Sequence, residues 1–171
     1  MQQIQSLHQL HYQPLKRQDL VSLGALYQDP LFTKHYGEIE EHKQTLNDLN
    51  HWFDEYEQMQ TERYYSIFSN QTWVGFITLS DFDESESEAW LSIGLQPNVW
   101  GQGIGSYVLK AFIKACFDQR NIETIRLSVF SSNERAYCLY LKLGFQVEKI
   151  YVKEELPLDF KEDIYQLYLK R

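Results

Sequence analysis

Gly101, Gly103 and Gly105 stand at every second position of Pro97-Asn98-Val99-Trp100-Gly101-Gln102-Gly103-Ile104-Gly105-Ser106. The preceding Trp90-Leu91-Ser92-Ile93-Gly94-Leu95 reads as a strand. Beyond the glycines, Ile104, Val108, Ala111, Phe112 and Ala115 recur at helical spacing. Backbone without Cβ atoms can approach a ligand closely, and the first turn of a helix offers unpaired N–H groups and a partial positive charge. A glycine-rich turn from strand to helix therefore suits a phosphate or pyrophosphate; the plainer reading is a turn that uses glycine for flexibility. The dinucleotide fingerprint fails, because Ser106 or Val108 stands where its third glycine is needed. No Gly-Lys-Ser/Thr follows, so the P-loop fails as well.

A second group of chemistry-bearing residues lies in Asn133-Glu134-Arg135-Ala136-Tyr137-Cys138-Leu139-Tyr140-Leu141-Lys142-Leu143-Gly144-Phe145. Taken alone, Tyr140 is an ordinary core tyrosine and Asn133 a helix cap. Taken with the glycine loop, both acquire a role. Gly-Gln-Gly-Ile-Gly at a strand–helix junction resembles the acetyl-CoA loop of the GNAT superfamily of N-acyltransferases, whose usual form is Arg/Gln-x-x-Gly-x-Gly/Ala. Trp100 replaces the basic or amide residue here. The window Pro97 to Gly103 is most similar to the branch that acetylates ribosomal-protein N-termini and polyamines. The segment Asn133 to Phe145 carries every element of the family's second signature: Asn, Ala, Tyr, then Leu-Gly-Phe.

The resemblance implies acetyl-CoA as cosubstrate and no metal. It puts the pyrophosphate on N–H groups from Gln102 to Ser106 (through Gly103, Ile104 and Gly105), with Trp100 and Gly101 beside them. Backbone N–H groups of Ile93 and Leu95 would pair with the pantetheine arm as an added strand. Asn133 and Arg135 would also face the cofactor. Tyr140 would protonate the leaving sulfur, which is useful near neutral pH because a thiol titrates at about 8.5. The oxyanion would meet a backbone donor of the preceding strand.

The base is less clearly marked. An alkyl ammonium has a pKa near 10.4 and must lose a proton before it attacks. Many family members place a glutamate where this chain has Trp90. Glu88, two residues earlier and on the same strand face, is the candidate, acting through water, or else a surface residue. Asp81 and Asp83 are weaker candidates. Of the histidines, His8, His11, His35, His42 and His51 show no metalloprotease spacing and are expected to be solvent-exposed. Asp81, Asp83 and Ser85 have calcium-loop spacing, but Glu86 and Ser92 occupy the glycine and final glutamate positions, which excludes calcium. No Gly-x-Ser-x-Gly elbow supports a serine hydrolase.

The elements that must position these residues follow from patterning. A first strand covers Leu7 to Leu15. Asp19 caps a helix carrying Leu20, Leu23 and Leu26, which Asp29-Pro30 ends. Residues 31–41 read as loop, and a second helix spans about Glu41 to Gln58, its Trp52, Phe53 and Tyr56 being core or a pocket wall. Two strands, Tyr64 to Ser69 and Trp73 to Leu79, flank an Asn70-Gln71 hairpin turn. After the glycine-loop helix, which ends near 119–121, come the strand Thr124 to Phe130, a helix opened by a Ser131–Glu134 capping box, a Gly144 left-handed cap, and strands Phe145 to Val152 and Ile164 to Leu169. The order β-α-α-β-β-β-α-β-α-β-β predicts a mixed α/β (α+β) fold. As the resemblance has it, the sheet is mostly antiparallel, of about seven strands flanked by helices, in a single domain over 1–171.

Composition narrows the class further. With 43% hydrophobic and 15% aromatic residues the chain is expected to fold. A net charge of −8 argues against nucleic acid and mildly favours a cationic substrate. Cys116 and Cys138 lack metal or redox spacing and read as buried residues in a reducing compartment. No signal segment or membrane span is evident, which points to the cytoplasm. The expected function is acetyl transfer to a primary amine: a polyamine-like cation, a protein N-terminal amine or an aminoglycoside, with a homodimer as the oligomer considered. The competing class is a catalytically weak acyl-CoA sensor or scaffold on the same fold.

Overall fold

The computed structural model describes residues 9–83, 87–119 and 122–171. In chain order these form β1 (Leu10–Pro14), α1 (Leu20–Tyr27), α2 (Pro30–Tyr36), α3 (Leu46–Tyr56), β2 (Glu62–Ser69), β3 (Thr72–Asp83), β4 (Glu88–Leu95), α4 (Ile104–Gln119), β5 (Thr124–Phe130), α5 (Glu134–Lys142), β6 (Gln146–Tyr151) and β7 (Ile164–Lys170). The seven strands make one sheet in the order β1-β2-β3-β4-β5-β7-β6. Every pairing is antiparallel except β4 with β5. This is the mixed fold expected from the element order, with the mostly antiparallel sheet of about seven strands that the resemblance implied.

Alternation along the strands splits the core in two. Tyr65, Ile67, Val74 and Ile77 face α4 and α5 in a largely aliphatic layer. Tyr64, Trp73 and Phe76 face α1 to α3, where Trp52, Phe53 and Tyr56 complete an aromatic layer. The aromatics of α3 are thus core. Lys43 is buried in this layer, its Nζ 3.3 Å from the Tyr64 hydroxyl, 2.7 Å from Glu40 and 4.9 Å from the centre of the Trp52 ring.

Local chemistry departs from the sequence reading at several helix starts. Residues 31–41 are not all loop. Asp29 caps α2, its carboxylate accepting from the Leu31 and Phe32 N–H groups, with Pro30 in the first turn. The next helix begins at Leu46 rather than near Glu41, because Thr45 and Asp48 form a reciprocal capping box. Asp19 does not cap α1. Its buried carboxylate accepts from the Lys16 N–H and the Ser66 hydroxyl. The Asn70-Gln71 hairpin turn is present, with φ of 49° and 67°. Gly144 is left-handed at φ 97°. Cys116 is buried, but Cys138 is exposed, correcting the expectation for the second cysteine. His8, residues 84–86 of the acidic turn and the α4 end at 120–121 lie outside the described residues, as do the side chains of Asp81 and Asp83.

Candidate active site

Among the described residues one pairing is parallel, and it is short. β4 meets β5 only from Glu88–Trp90 against Thr124–Arg126. Beyond Arg126, β5 continues to Phe130 paired with β7 alone. The two strands therefore diverge, and the second half of β4 has an open edge. The Gln96 N–H donates to the Val74 carbonyl of β3. By alternation, the amides of Ser92 and Gly94 face β3, and those of Ile93 and Leu95 face the open edge. The Leu95 carbonyl on that edge accepts from the Trp100 indole N–H at 2.9 Å.

The glycine loop follows directly. Gly101 and Gly103 have φ of 76° and 81°, and a Cβ at either would meet nothing within 4 Å. Glycine is needed here for its left-handed backbone, not for space. Helix α4 starts at Ile104, whose side chain is core. Among the described residues, no protein acceptor takes the amides from Gln102 to Ser106, as expected for a helix start that awaits an acceptor. The Gln102 side chain turns back to the Asn98 carbonyl.

Two cavities open at the divergence. The first, of about 420 Å³, runs along Ile93 and Leu95, past Trp100 and Gly105, to Arg135 and Leu139. The second, of about 410 Å³, is walled by Ser80, Trp90, Ser92, Ser128, Phe130 and Phe160. His35, Tyr36, Ile93, Asn133 and Tyr140 line both, forming a waist between them. The sequence-predicted residues Ile93, Leu95, Trp100, Gly105, Asn133, Arg135 and Tyr140 are brought together here. Gly101, Gln102, Gly103, Ile104 and Ser106 lie in the adjoining loop and helix start without lining the cavity.

Tyr140 is buried on α5, its ring edge-on to Phe145. Burial pushes its phenol well above the ordinary tyrosine range, with a smaller contribution from neighbouring Tyr36. Asn133 is the N-cap of α5, its Oδ1 accepting from the Ala136 N–H at 3.3 Å. The Ser131–Glu134 capping box does not form: the Ser131 and Ser132 hydroxyls instead donate to Glu162. The Arg135 guanidinium lies over the Trp100 ring at 5.2 Å.

Glu88 does not join this group. Its carboxylate is bound to Arg126 on β5, which also holds Glu148, and it lines neither cavity. The sequence reading missed α2, which carries His35 and Tyr36 to the waist and Phe32 to the first cavity. The Tyr36 hydroxyl accepts from Ser92 at 3.0 Å, and burial raises its phenol to about 12 against the lowering effect of that bond. The helix can approach because Gly94 lacks a Cβ, which would come within 2.5 Å of Phe76 and 2.8 Å of Phe32. The signal was present in Asp29-Pro30, an N-cap followed by proline at the first helical position. His35 is only half-exposed and lines both cavities, against the expectation of a solvent-facing histidine; His11, His42 and His51 are exposed. No group of three or more His, Cys, Asp or Glu residues among the described residues is placed to hold a metal ion. No described helix is long and apolar enough to cross a membrane.

Residues 9–146 match the family model described as an acetyltransferase (GNAT) domain. Spermidine N(1)-acetyltransferase of Escherichia coli K12 is 26% identical over 143 residues, covering 84% of this chain and 76% of that protein. Acetyltransferase PseH of Campylobacter jejuni is 24% identical over 136 residues, covering 80% of this chain and 73% of that protein. The fold is shared with spermidine N-acetyltransferase from Vibrio cholerae in complex with CoA and spermine, at a TM-score of 0.86 and 22% identity over 95% of this chain and 96% of that one.

Proposed function

Because this chain belongs to the GNAT acetyltransferase family, we propose that it moves the acetyl group of acetyl-CoA directly to a primary amine of a polyamine-like cation. The observation that carries the reading is the waist. A cavity along the open edge of β4, beside the glycine loop, meets a second cavity at Tyr140. The first cavity suits the cofactor. Amides from Gln102 to Ser106 hold the pyrophosphate, and the Ile93 and Leu95 amides take the pantetheine arm as an extra strand, leading the thioester toward Tyr140. Asn133 and Arg135 flank that path. The acceptor enters from the second cavity. Its amine attacks the thioester carbon, the C–S bond breaks, and the Tyr140 phenol gives its proton to the sulfur. A phenol raised by burial stays protonated at neutral pH and so is loaded for that step.

The polyamine assignment is supported by the relatives named as spermidine acetyltransferases and by the net charge of −8. The aromatic faces of Trp90, Phe130 and Phe160 can receive an alkylammonium through cation–π contact. A second reading, transfer to a peptide N-terminal amine, is favoured by the described wall of the second cavity, which carries hydroxyls and aromatics but no carboxylate. An α-amine titrates at about 7.7–8.0 and needs less help to lose its proton. A single cytoplasmic catalytic domain over 1–171, able to form a homodimer, completes the proposal.

The test is thiol release from acetyl-CoA with spermidine, spermine, an N-terminal peptide and an aminoglycoside. Turnover of spermidine or spermine far above the others is expected. Preference for the peptide would select the second reading, and silence on all four would reject acetyl transfer to these acceptors.

A further inference from the structure

The acceptor ammonium must shed a proton, and no described carboxylate lines the second cavity. Glu88 is bound to Arg126 outside both cavities. Among the described lining residues, the side chains able to take up a proton or hold charge are His35, Tyr36, Glu134, Arg135 and Tyr140. Arg135 is a permanent cation, and the two phenols already carry protons. Glu134 is exposed in the first turn of α5 and lines only the cofactor cavity.

His35 remains, and its geometry fits the task. It lines both cavities at the waist, one residue before Tyr36, with its ring edge-on to Trp100 at 5.9 Å. Its Nδ1 is shielded from solvent and has no hydrogen-bond partner among the described residues. Proton exchange with a ligand in the cavities therefore falls to Nε2, the ring nitrogen that is not so shielded. Imidazole is also the side chain whose ordinary range lies nearest neutrality.

We infer that the His35 imidazole takes the proton of the acceptor ammonium. One N–H bond of R–NH3⁺ breaks and its proton passes to the ring, leaving R–NH2 with a free electron pair. That pair forms the C–N bond at the thioester carbonyl, and the C–S bond breaks with its electrons on sulfur. Sulfur takes the Tyr140 proton, and the second N–H proton of the addition intermediate restores the phenol. The imidazolium returns its proton to solvent, so each turnover yields one amide, one thiol and one proton.

This inference rests on the proposed acetyl transfer, and the experiment separates the two. The pH dependence of kcat/KM is measured for wild type and His35→Gln with the best amine of the panel, together with CoA affinity by calorimetry. Wild type should show an ionisation near neutral pH. His35→Gln should bind CoA normally and lose that ionisation. Its rate should fall by ~10²-fold at pH 7, with the deficit closing as pH rises toward the amine's own range near 10.4. A variant as fast as wild type, or a deficit constant at every pH, overturns the role of His35 alone. So does a wild-type profile with no ionisation near neutrality, a result that needs no folded variant. Wild type inactive with every amine overturns the acetyl-transfer reading itself, and the His35 role with it.

Discussion

The two halves of the cavity are built on different principles. The half proposed for the cofactor is backbone chemistry. The donors proposed there, the amides of one open strand edge and one helix start, follow one another between Ile93 and Ser106, while Arg135 and Leu139 of α5 close the other side. The half proposed for the acceptor is side-chain chemistry. Ser80, Trp90, Ser128 and Phe160 reach it from β3, β4, β5 and the loop before β7, with Tyr36 added from α2. A contiguous stretch of glycines and a cap can be recognised from residue order. A wall assembled from distant elements cannot, because which side chains meet depends on where the strands diverge.

Mutations should separate the halves. The largest effect is expected at the waist, where Tyr140→Phe should lower kcat by ~10²-fold or more while CoA affinity stays the same. Calorimetry with CoA and steady-state kinetics check this together, and an unchanged kcat would reject Tyr140 as the proton donor. Gly103→Ala strains a backbone at φ 81°, at roughly 1–2 kcal/mol for a left-handed non-glycine residue. Acetyl-CoA should bind roughly tenfold more weakly, with the acceptor KM unmoved. Phe160→Ala should do the reverse, raising the acceptor KM several-fold and sparing CoA, if the aromatic wall holds the amine.

The smallest effect is expected at Glu88. Because the carboxylate lies outside both halves, Glu88→Gln should leave kcat unchanged. The variant should cost less than ~1 kcal/mol, as expected for partly exposed ion pairs. A collapse of kcat would restore Glu88 as the base and remove the need for His35. The same cluster gives a pH dependence. The Arg126 hydrogen bond, with help from Gln166, holds the Glu148 carboxyl below its ordinary range. Its contribution is therefore present above the carboxylate's unfolded pKa and is lost as pH falls through the folded value. Denaturation midpoints at neutral and acid pH should show this loss, and Glu148→Gln should lessen it.

The sheet, the glycine loop, the Gly144 cap and the assembly around Asn133 and Tyr140 were legible because each has a local signature. Asp29-Pro30 shows where legibility ended. The pair can stop one helix or start the next, and read as a stop it hid α2 and with it His35 and Tyr36. Ser131 and Asn133 posed a similar choice. Ser131 had the spacing for a cap, yet Glu162, remote in sequence, engages it and leaves Asn133 to cap α5. Glu88 had the right strand face, but its partner Arg126 lies on β5, visible only once β4 and β5 are paired.

A crystal structure of the protein with CoA tests most directly whether the two halves meet at Tyr140. The pyrophosphate should rest on the amides between Gln102 and Ser106, the pantetheine arm on those of Ile93 and Leu95, and the sulfur within hydrogen-bond reach of the Tyr140 hydroxyl. A sulfur remote from that hydroxyl, or a pyrophosphate held elsewhere, would contradict the account.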